Sequence, residues 1–204
     1  MGIELEGVGR AYGERVVLRD VSVTVPDGAT LAVFGANGSG KTTLLRIVAG
    51  LLRPQAGKVR VGGRVGLLGH EPMLYRDLST RQNLEFHARL HGVPFARVDE
   101  LLERVAMTAR ADEPVRTLSR GMTQRVAVCR AVLHEPEVLL LDEPYANLDP
   151  GARELVAPLL SVGTRVLISH DVDAGLAEAD LAIGLRGARA VPVAGAAAVR
   201  ELYG

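Results

Sequence analysis

The stretch "GANGSGKT", residues 35 to 42, decides the fold of this chain. It follows "TLAVF" at 30 to 34, a continuous apolar run that is typical of a buried parallel strand, and it precedes a helical pattern. Strand, glycine-rich turn and helix in this order match the G-x-x-x-x-G-K-T phosphate loop. An accidental turn is the alternative in a chain with 23 glycines. The sequence therefore predicts a phosphate-binding loop at the end of a buried strand.

The residues of this loop have distinct predicted tasks. Backbone N–H groups turned inward around the glycines form an anion-binding nest, and the helix dipole adds positive potential. Lys41 brings a point charge to the β- and γ-phosphates, and Thr42 offers a hydroxyl to Mg²⁺. Lysine occurs only twice among 24 basic residues, and its compact ammonium differs from a guanidinium in reach, which argues against an accidental turn. The predicted nucleotide-binding residues of this segment are Gly35, Asn37, Gly38, Ser39, Gly40, Lys41, Thr42 and Thr43.

A second motif, "VLLLDEP" at 138 to 144, places two carboxylates after another apolar run. The carboxyl ends of strands in an open α/β sheet line its ligand crevice. We expect Asp142 to hold Mg²⁺ through water and Glu143 to polarise the water that attacks the γ-phosphate, because phosphoryl transfer depends mainly on positioning and charge stabilisation. The alternative is that both carboxylates simply leave a strand for solvent.

The remaining patterns predict an α/β fold with two additions. Alternation at 16 to 25, with short strands at about 57 to 61 and 65 to 69, indicates a small N-terminal antiparallel β lobe. Helix-spaced apolar residues make 72 to 117 a mostly helical insertion. Beyond it, strands and helices alternate as in a parallel sheet wrapped by helices, and a hairpin around Gly187 ends the pattern.

Composition limits the classes of function. The chain has 204 residues, which we interpret as a single domain over residues 1 to 204. Its 24 basic and 24 acidic residues cancel, so we expect no nucleic acid partner. The single cysteine, Cys129, excludes internal disulfides and is expected to be a small buried hydrophobe. No apolar stretch approaches the roughly 18 residues of a bilayer span, so we expect a soluble chain.

Five motifs together resemble one family. The phosphate loop, "LSRGM" at 118 to 122, "LLLDEP" at 139 to 144, "NLD" at 147 to 149 and "SHD" at 169 to 171 occur in the order and spacing of ATP-binding-cassette (ABC) ATPases. The resemblance covers nearly the whole chain and implies a P-loop NTPase fold of ABC type, with ATP and Mg²⁺ as cofactors. In this family two cassettes stack head to tail, and the signature segment, here residues 118 to 122, faces the ATP of the other cassette.

The resemblance implies roles for residues outside the phosphate loop. Ser119 and Gly121 would contact the γ-phosphate of the partner's ATP, although Ser119 as a simple helix N-cap is the alternative. Asp149 would bridge the two cassettes. His170 resembles the switch histidine that contacts the γ-phosphate. The alternative is a histidine at a strand end without a functional role. The implied catalytic residues are Glu143, His170 and Lys41.

Tyr12 resembles the aromatic residue that stacks on adenine, with Val17 packing beside it. A tyrosine exposed on the β lobe without a role is the alternative. Adding these two residues to Ser119, Gly121 and Asp149 completes the cofactor-binding set that the resemblance implies.

The sequence departs from the family pattern at three positions. His70 stands where most cassettes carry a glutamine that reaches the metal; a neutral imidazole could serve through one nitrogen, whereas a protonated one would repel Mg²⁺. We therefore expect weaker hydrolysis at mildly acid pH. Arg120 and Met122 replace the usual glycine and glutamine of the signature segment, and we expect activity to survive both changes. The predicted metal ligands are Thr42, Asp142 and His70.

The family resemblance also implies partners. We expect a homodimer or heterodimer of ATPase subunits bound to a separate transmembrane permease, in the cytoplasm at the inner face of the cell membrane. "PMLY" at 72 to 75 would give the permease an apolar contact, or would be local core. The chain is short and carries a "GH-x-P" motif at 69 to 72, and in both respects it is similar to the ATPase of the haem exporter of cytochrome c maturation. This similarity favours export. The alternatives are a soluble cassette, for example of the iron–sulfur assembly type, and a module that senses ATP without hydrolysing it.

Overall fold

The computed structural model describes residues 2–203, which form two β-sheets flanked by helices. A small sheet of three strands precedes and overlies the larger sheet of six. The strands are β1 (Ile3–Tyr12), β2 (Arg15–Val25), β3 (Thr30–Phe34), β4 (Ala56–Val61), β5 (Val65–Leu68), β6 (Val138–Asp142), β7 (Thr164–Ile168), β8 (Leu181–Arg186) and β9 (Arg189–Pro192).

Four of the helices within residues 2–203 begin at a side chain that caps them. Ser79 and Gln82 form a reciprocal capping box at the start of α2, and Gly92 in the left-handed conformation ends it. Two short 3₁₀ turns, Thr108–Arg110 and Val115–Thr117, complete the segment before α4. The helices are α1 (Lys41–Val48), α2 (Thr80–His91), α3 (Ala96–Arg104), α4 (Arg120–Val132), α5 (Pro150–Leu160), α6 (Val172–Ala177) and α7 (Ala196–Arg200).

The larger sheet has the order β5-β6-β7-β3-β8-β9 and is parallel except for β9. Strands β3 and β6 are buried along their whole length, because helices and the β lobe cover both faces of the sheet. The adjacent strands β6, β7 and β3 end at Asp142, Ile168 and Phe34. Their carboxyl ends therefore bring three loops to one edge of the sheet.

The predicted α/β fold, β lobe and helical lobe are confirmed, with two refinements. Strands β4 and β5 are close in sequence but lie in different sheets: β4 pairs antiparallel with β1, and β5 pairs parallel with β6. The glycine turn between them, at 62 to 63, is consequently a crossing between sheets and not a hairpin. Within the helical lobe, residues 72 to 79 carry no helix, and the helical part begins at α2.

Two apolar clusters hold these layers together. One joins the helical lobe and α4 to the larger sheet, and the other joins α1 and the β lobe to the opposite face. Cys129 lies in the first cluster, where burial raises the pKa of its thiol to about 12, so it is the small buried hydrophobe that the sequence predicted. Within residues 2–203, no helix has the length and hydropathy that crossing a bilayer requires.

Candidate functional site

One cleft of about 350 Å³ opens at the carboxyl edge of the larger sheet. We call it the triphosphate cleft. It gathers the phosphate loop, the end of β6 and the second residue after β7, which lie far apart in sequence. Every residue that lines it was predicted as a site residue: Asn37, Gly38, Gly40, Lys41, Thr42, Thr43, His70, Asp142, Glu143 and His170.

The phosphate loop needs glycine where its backbone passes other groups. Gly40 has φ 109°, and a Cβ there would lie 2.8 Å from the carbonyl oxygen of Val17. Gly35 has φ 146°, and a Cβ there would lie 2.6 Å from Ser39 Oγ. Because Gly40 is the N-cap of α1 and supplies no side chain, the first N–H groups of this helix are free for an anion.

Lys41 lies over this loop. Its Nζ donates hydrogen bonds to the carbonyl oxygens of Gly35, at 2.6 Å, and Ala36, at 3.1 Å. Burial lowers the pKa of Lys41, against the opposing effect of Asp142 and Glu143. The ammonium is thus held at the cleft by weak carbonyl partners that a phosphate oxygen would replace with a charge-assisted bond.

Thr42 and Asp142 meet at the bottom of the cleft. Thr42 Oγ1 donates to Asp142 Oδ2 over 3.2 Å, and Asp142 is buried. Burial raises the pKa of this carboxyl, and the hydrogen bond from Thr42 opposes the shift. The pair offers a hydroxyl and a carboxylate oxygen within 3.2 Å of each other, and oxygen ligands are those that Mg²⁺ prefers.

The residues present fit a nucleotide with its magnesium ion. Ser39 Oγ is buried without a hydrogen-bond partner, which a phosphate oxygen would supply. Across residues 2–203 there is no group of three or more His, Cys, Asp or Glu side chains that could hold a metal. Magnesium here would accordingly share Thr42 and Asp142 with phosphate and water, as is usual for this ion.

Glu143 and His170 form a pair beside the phosphate loop. His170 Nε2 lies 2.8 Å from Glu143 Oε1, with the histidine about half exposed and the glutamate about one quarter. Glu143 adopts φ 53°, a conformation that non-glycine residues rarely take, and its N–H donates to the carbonyl oxygen of Ile168. Such strain concentrates at functional sites. The pair therefore presents a carboxylate and an imidazole, fixed by the β6 and β7 ends, to the cleft, where they would meet an attacking water.

The predicted residues of the signature segment and of "NLD" lie outside the triphosphate cleft. Ser119 is the N-cap of α4, its Oγ accepting from Met122 N over 3.2 Å, so the capping alternative describes its contact within this chain. Asp149 caps α5 in the same way, accepting from Ala152 N over 2.8 Å. Gly121 abuts the loop of "NLD", because a Cβ on it would lie 2.8 Å from the carbonyl oxygen of Asn147.

Tyr12 and Val17 lie at the β-lobe side of the phosphate loop. Tyr12 is 47% exposed, and the Arg10 guanidinium covers one face of its ring at 5.1 Å from the centroid. Val17 contacts the loop at Gly40. The ring therefore keeps one face for a stacking partner.

Sequence reasoning missed two contacts with the phosphate loop. Arg15 Nη2 donates to the carbonyl oxygen of Gly38 over 3.2 Å, and the hydroxyl of Tyr203 accepts from Gly35 N over 3.4 Å. The position of Arg15 between Tyr12 and Val17 was the only available signal for the first contact. No local pattern indicates the second, which depends on how α7 packs on β8.

The geometry is that of a phosphate-loop nucleoside triphosphatase: an anion nest, a Thr–Asp pair suited to a metal and a Glu–His pair suited to orienting water meet in one cleft. Comparison with known proteins narrows the class. A family model described as "ABC transporter" matches residues 18–146, more than half of the chain. The chain belongs to the ABC transporter family, whose general activity is ATP hydrolysis.

Similar curated proteins carry the names of transport systems. The chain is 39% identical over 187 residues to the daunorubicin resistance ATP-binding protein DrrA3 of Streptomyces coeruleorubidus, covering 82% of this chain and 59% of that protein. It is 37% identical over 198 residues to the aliphatic sulfonates import ATP-binding protein SsuB of Mycobacterium avium, covering 92% and 79%. It is 35% identical over 226 residues to the Fe(3+) ions import ATP-binding protein FbpC 1 of Rhodococcus jostii, covering 98% and 63%.

The chain thus spans about three fifths of the length of several relatives that it matches. A solved structure described as the ATP-binding subunit of an ABC transporter has a TM-score of 0.85 at 24% identity and covers 93% of this chain and 88% of its own. That likeness supports the fold.

Proposed function

We propose that this chain is the ATP-binding and ATP-hydrolysing subunit of an ABC transporter. The observation that carries the proposal is the meeting of five side chains, from three sheet loops, in one cleft. Two come from the phosphate loop and its helix, two from the end of β6 and one from the end of β7. These are Lys41, Thr42, Asp142, Glu143 and His170.

Each group would act on the γ-phosphate or on the attacking water. The free N–H groups at the start of α1 and the Lys41 ammonium would bind the triphosphate oxygens. Mg²⁺, when bound by Thr42 and Asp142, would neutralise developing charge. Glu143 would accept a hydrogen bond from the water, and His170, 2.8 Å from it, would hold that carboxylate in place. ATP and water would give ADP and phosphate.

A second cassette would complete the site. Ser119 and Gly121 do not line the cleft of their own chain and lie at the N-terminus of the 13-residue helix α4. A helix N-terminus stabilises an anion by about 0.3 to 1 kcal/mol when exposed and up to ~2 kcal/mol when partly buried. When two such helix ends each face the triphosphate in the other cassette's cleft, the electrostatic attraction becomes stronger as water leaves the interface. We propose a homodimer or a pair with a close relative, in which Asp149 lies at the interface.

The helical lobe offers the surface for a membrane permease. A groove of about 900 Å³ lies between residues 71 to 76 and the start of α4, and we call it the helical-lobe groove. Met73 and Tyr75 are about half exposed at its edge, and Tyr75 packs edge-on against Phe86 at 5.3 Å, whereas Leu74 packs against the core. The "PMLY" segment is therefore part core and part exposed patch. Such a patch suits an apolar helix of a permease, which would place the chain at the inner face of the membrane.

The cargo is a narrower proposal. The relatives include proteins named for export and for import, so they support transport without a direction. The "GH-x-P" segment around His70 is what supports export, and haem is the first cargo to test. Vesicles holding the chain with its permease should accumulate haem when ATP is supplied, and accumulation of an unrelated solute instead would assign another cargo.

Replacing Glu143 by Gln tests the ATPase proposal. The variant should lose turnover by roughly 10²-fold or more and trap an ATP-bound dimer, which size-exclusion chromatography with light scattering would detect. Glu154→Gln, an exposed carboxylate on α5, is the matched control and should behave like wild type. An ATP sensor without hydrolysis would show the same nucleotide response in both variants. A soluble cassette would hydrolyse ATP but fail to bind any permease.

A further inference from the structure

Arg130, on α4, bonds to both ends of the loop that carries His70. Its Nη2 donates to the carbonyl oxygen of Leu67 over 2.6 Å, and its Nε donates to that of Pro72 over 3.2 Å. The two carbonyls lie on either side of His70 along the chain. A planar guanidinium can hold two acceptors at a fixed separation, which an ammonium cannot.

The loop that carries His70 makes few other hydrogen bonds. Strand β5 ends at Leu68, and no helix or strand forms again until α2 begins at Thr80. From Gly69 to Leu74, the hydrogen bond that residues 2–203 supply is the one from Arg130 to Pro72. Leu67 is fixed by its pairing in β5, and Leu74 packs against the core, so Pro72 is the point between them at which Arg130 holds the His70 loop.

The side chain of Arg130 lies in an environment that is costly for a cation. Burial lowers the pKa of Arg130 to about 10, and no neighbouring carboxylate opposes the shift. A charge buried without an ionic partner destabilises a fold, and an apolar side chain of similar volume often does better. The hydrogen bonds to the carbonyl oxygens of Leu67 and Pro72 are the polar contacts that partly offset this cost.

The loop that Arg130 holds borders the metal side of the site. His70 lines the triphosphate cleft together with Thr42 and Asp142, and the same three residues line a second cavity of about 270 Å³ next to it. Helix α4 begins with Ser119 as its N-cap, so one helix both presents the signature segment and holds the His70 loop.

We propose that Arg130 is a positioning residue for the metal side of the ATP site, fixing Leu67 and Pro72 so that His70 stays beside Thr42 and Asp142. The inference rests on the proposed ATPase function. It goes beyond it by assigning a role to a residue that touches neither nucleotide nor metal. Residues that orient a metal ligand without binding the metal themselves typically change metal affinity by about 10-fold to 100-fold when they are replaced.

The matched control is Arg125 on the same helix. Its Nη1 donates to the carbonyl oxygens of Val105, at 2.7 Å, and Ala106, at 3.4 Å, so it also holds a loop by backbone carbonyls. That loop belongs to the helical lobe and does not border the cleft. Comparing Arg130→Met with Arg125→Met separates a role at the metal side from general support by α4.

Two measurements test the proposed role of Arg130: amide hydrogen exchange and the Mg²⁺ dependence of ATP hydrolysis. Amide hydrogen exchange of the full chain without nucleotide should speed up about 10-fold or more at residues 66 to 74 in Arg130→Met, and at 103 to 108 in Arg125→Met. The Mg²⁺ concentration for half-maximal ATP hydrolysis should rise roughly 10-fold in Arg130→Met and stay unchanged in Arg125→Met. Arg130→Lys keeps one donor group, so its exchange rates and its Mg²⁺ requirement should both lie between those of wild type and Arg130→Met. If Arg130→Met does not fold, the comparison of Arg130→Lys with wild type provides the test.

The outcomes separate this inference from the proposed function. Equal Mg²⁺ dependence in the two methionine variants would overturn the role of Arg130 while leaving the ATPase intact. Exchange in Arg130→Met that rises evenly over all of α4 would also overturn it. If wild type failed to hydrolyse ATP, the proposed function would fall, and the exchange pattern alone would show whether Arg130 holds the loop.

Discussion

His170 Nε2 lies 2.8 Å from Glu143 Oε1, and the two residues follow adjacent parallel strands. The contact joins the end of β6 to the end of β7 at the point where the phosphate loop arrives from β3. A carboxylate that shares one oxygen with an imidazole keeps the other for water, so the pair can orient a nucleophile without any covalent step.

Replacing His170 by Ala should therefore lower kcat by roughly 10²-fold to 10⁴-fold and leave ATP affinity within a few fold, because the triphosphate is bound by the loop and Lys41. His91→Ala provides a control, since His91 stacks on His134 far from the cleft. Steady-state hydrolysis and equilibrium ATP binding measure the two effects. A His170→Ala variant that binds ATP poorly but turns it over normally would assign the residue to binding instead.

Asp142→Asn should stabilise the protein without nucleotide while removing Mg²⁺-dependent ATP binding. Burial raises the pKa of Asp142 above its ordinary value, so the folded state binds more protons than the unfolded state as pH rises from about 3.8 to the folded pKa. Stability is lost over that window, and at neutral pH the charge is a cost. Removing it should add about 0.5 to 2 kcal/mol to the free energy of unfolding. Urea denaturation at pH 7 measures the change, and a less stable Asn variant would show that the carboxylate supports the fold.

Changes at Ser119 should separate its capping role from its role toward a second cassette. Ser119→Ala removes the bond to Met122 N and should cost about 1 kcal/mol of stability. Ser119→Asp keeps a capping side chain but brings a negative charge towards the partner's γ-phosphate. We expect the aspartate variant to be as stable as wild type in thermal unfolding and to form no ATP-dependent dimer. Normal dimer formation by the aspartate variant would remove Ser119 from the interface.

The stability of the helical lobe should fall in mild acid because of His87. Burial lowers the pKa of His87 to about 4, assisted by Arg130, His91 and His134, and its Nε2 is buried without a partner. The unfolded state therefore takes up a proton first, so stability is full above about pH 6.5 and is lost as pH falls towards 4. His87→Gln should flatten the dependence. Denaturant midpoints at pH 7 and pH 5 test this, and parallel losses in both proteins would place the effect elsewhere.

Local motifs account for what could be predicted from the sequence. The phosphate loop and Glu143 directly follow buried strands, Asp142 ends one, and His170 comes two residues after another. Parallel strands bring such positions to one edge. Each of these sites requires particular residues at fixed spacings next to one strand, so the sequence alone is enough to predict them.

Contacts between distant segments could not be predicted in this way. Arg130 meets Leu67 and Pro72 about sixty residues earlier in the chain, and Arg15 meets Gly38 across the boundary between the sheets. These bonds depend on how α4 and the β lobe pack. No sequence pattern marks Arg130 among the other arginines, and Arg15 is marked only by its position between Tyr12 and Val17. The crossing between β4 and β5 was hidden for the same reason, since strand pairing is set by packing and not by the turn.

Mixing two damaged variants tests the composite site most directly. Lys41→Met damages the cleft and keeps the signature segment, whereas Ser119→Asp damages the signature segment and keeps the cleft. Each alone should hydrolyse almost no ATP, and the mixture should regain activity, because a mixed dimer contains one intact cleft facing one intact signature segment. Full-speed hydrolysis by Ser119→Asp alone, in a preparation that stays monomeric with ATP, would contradict the account.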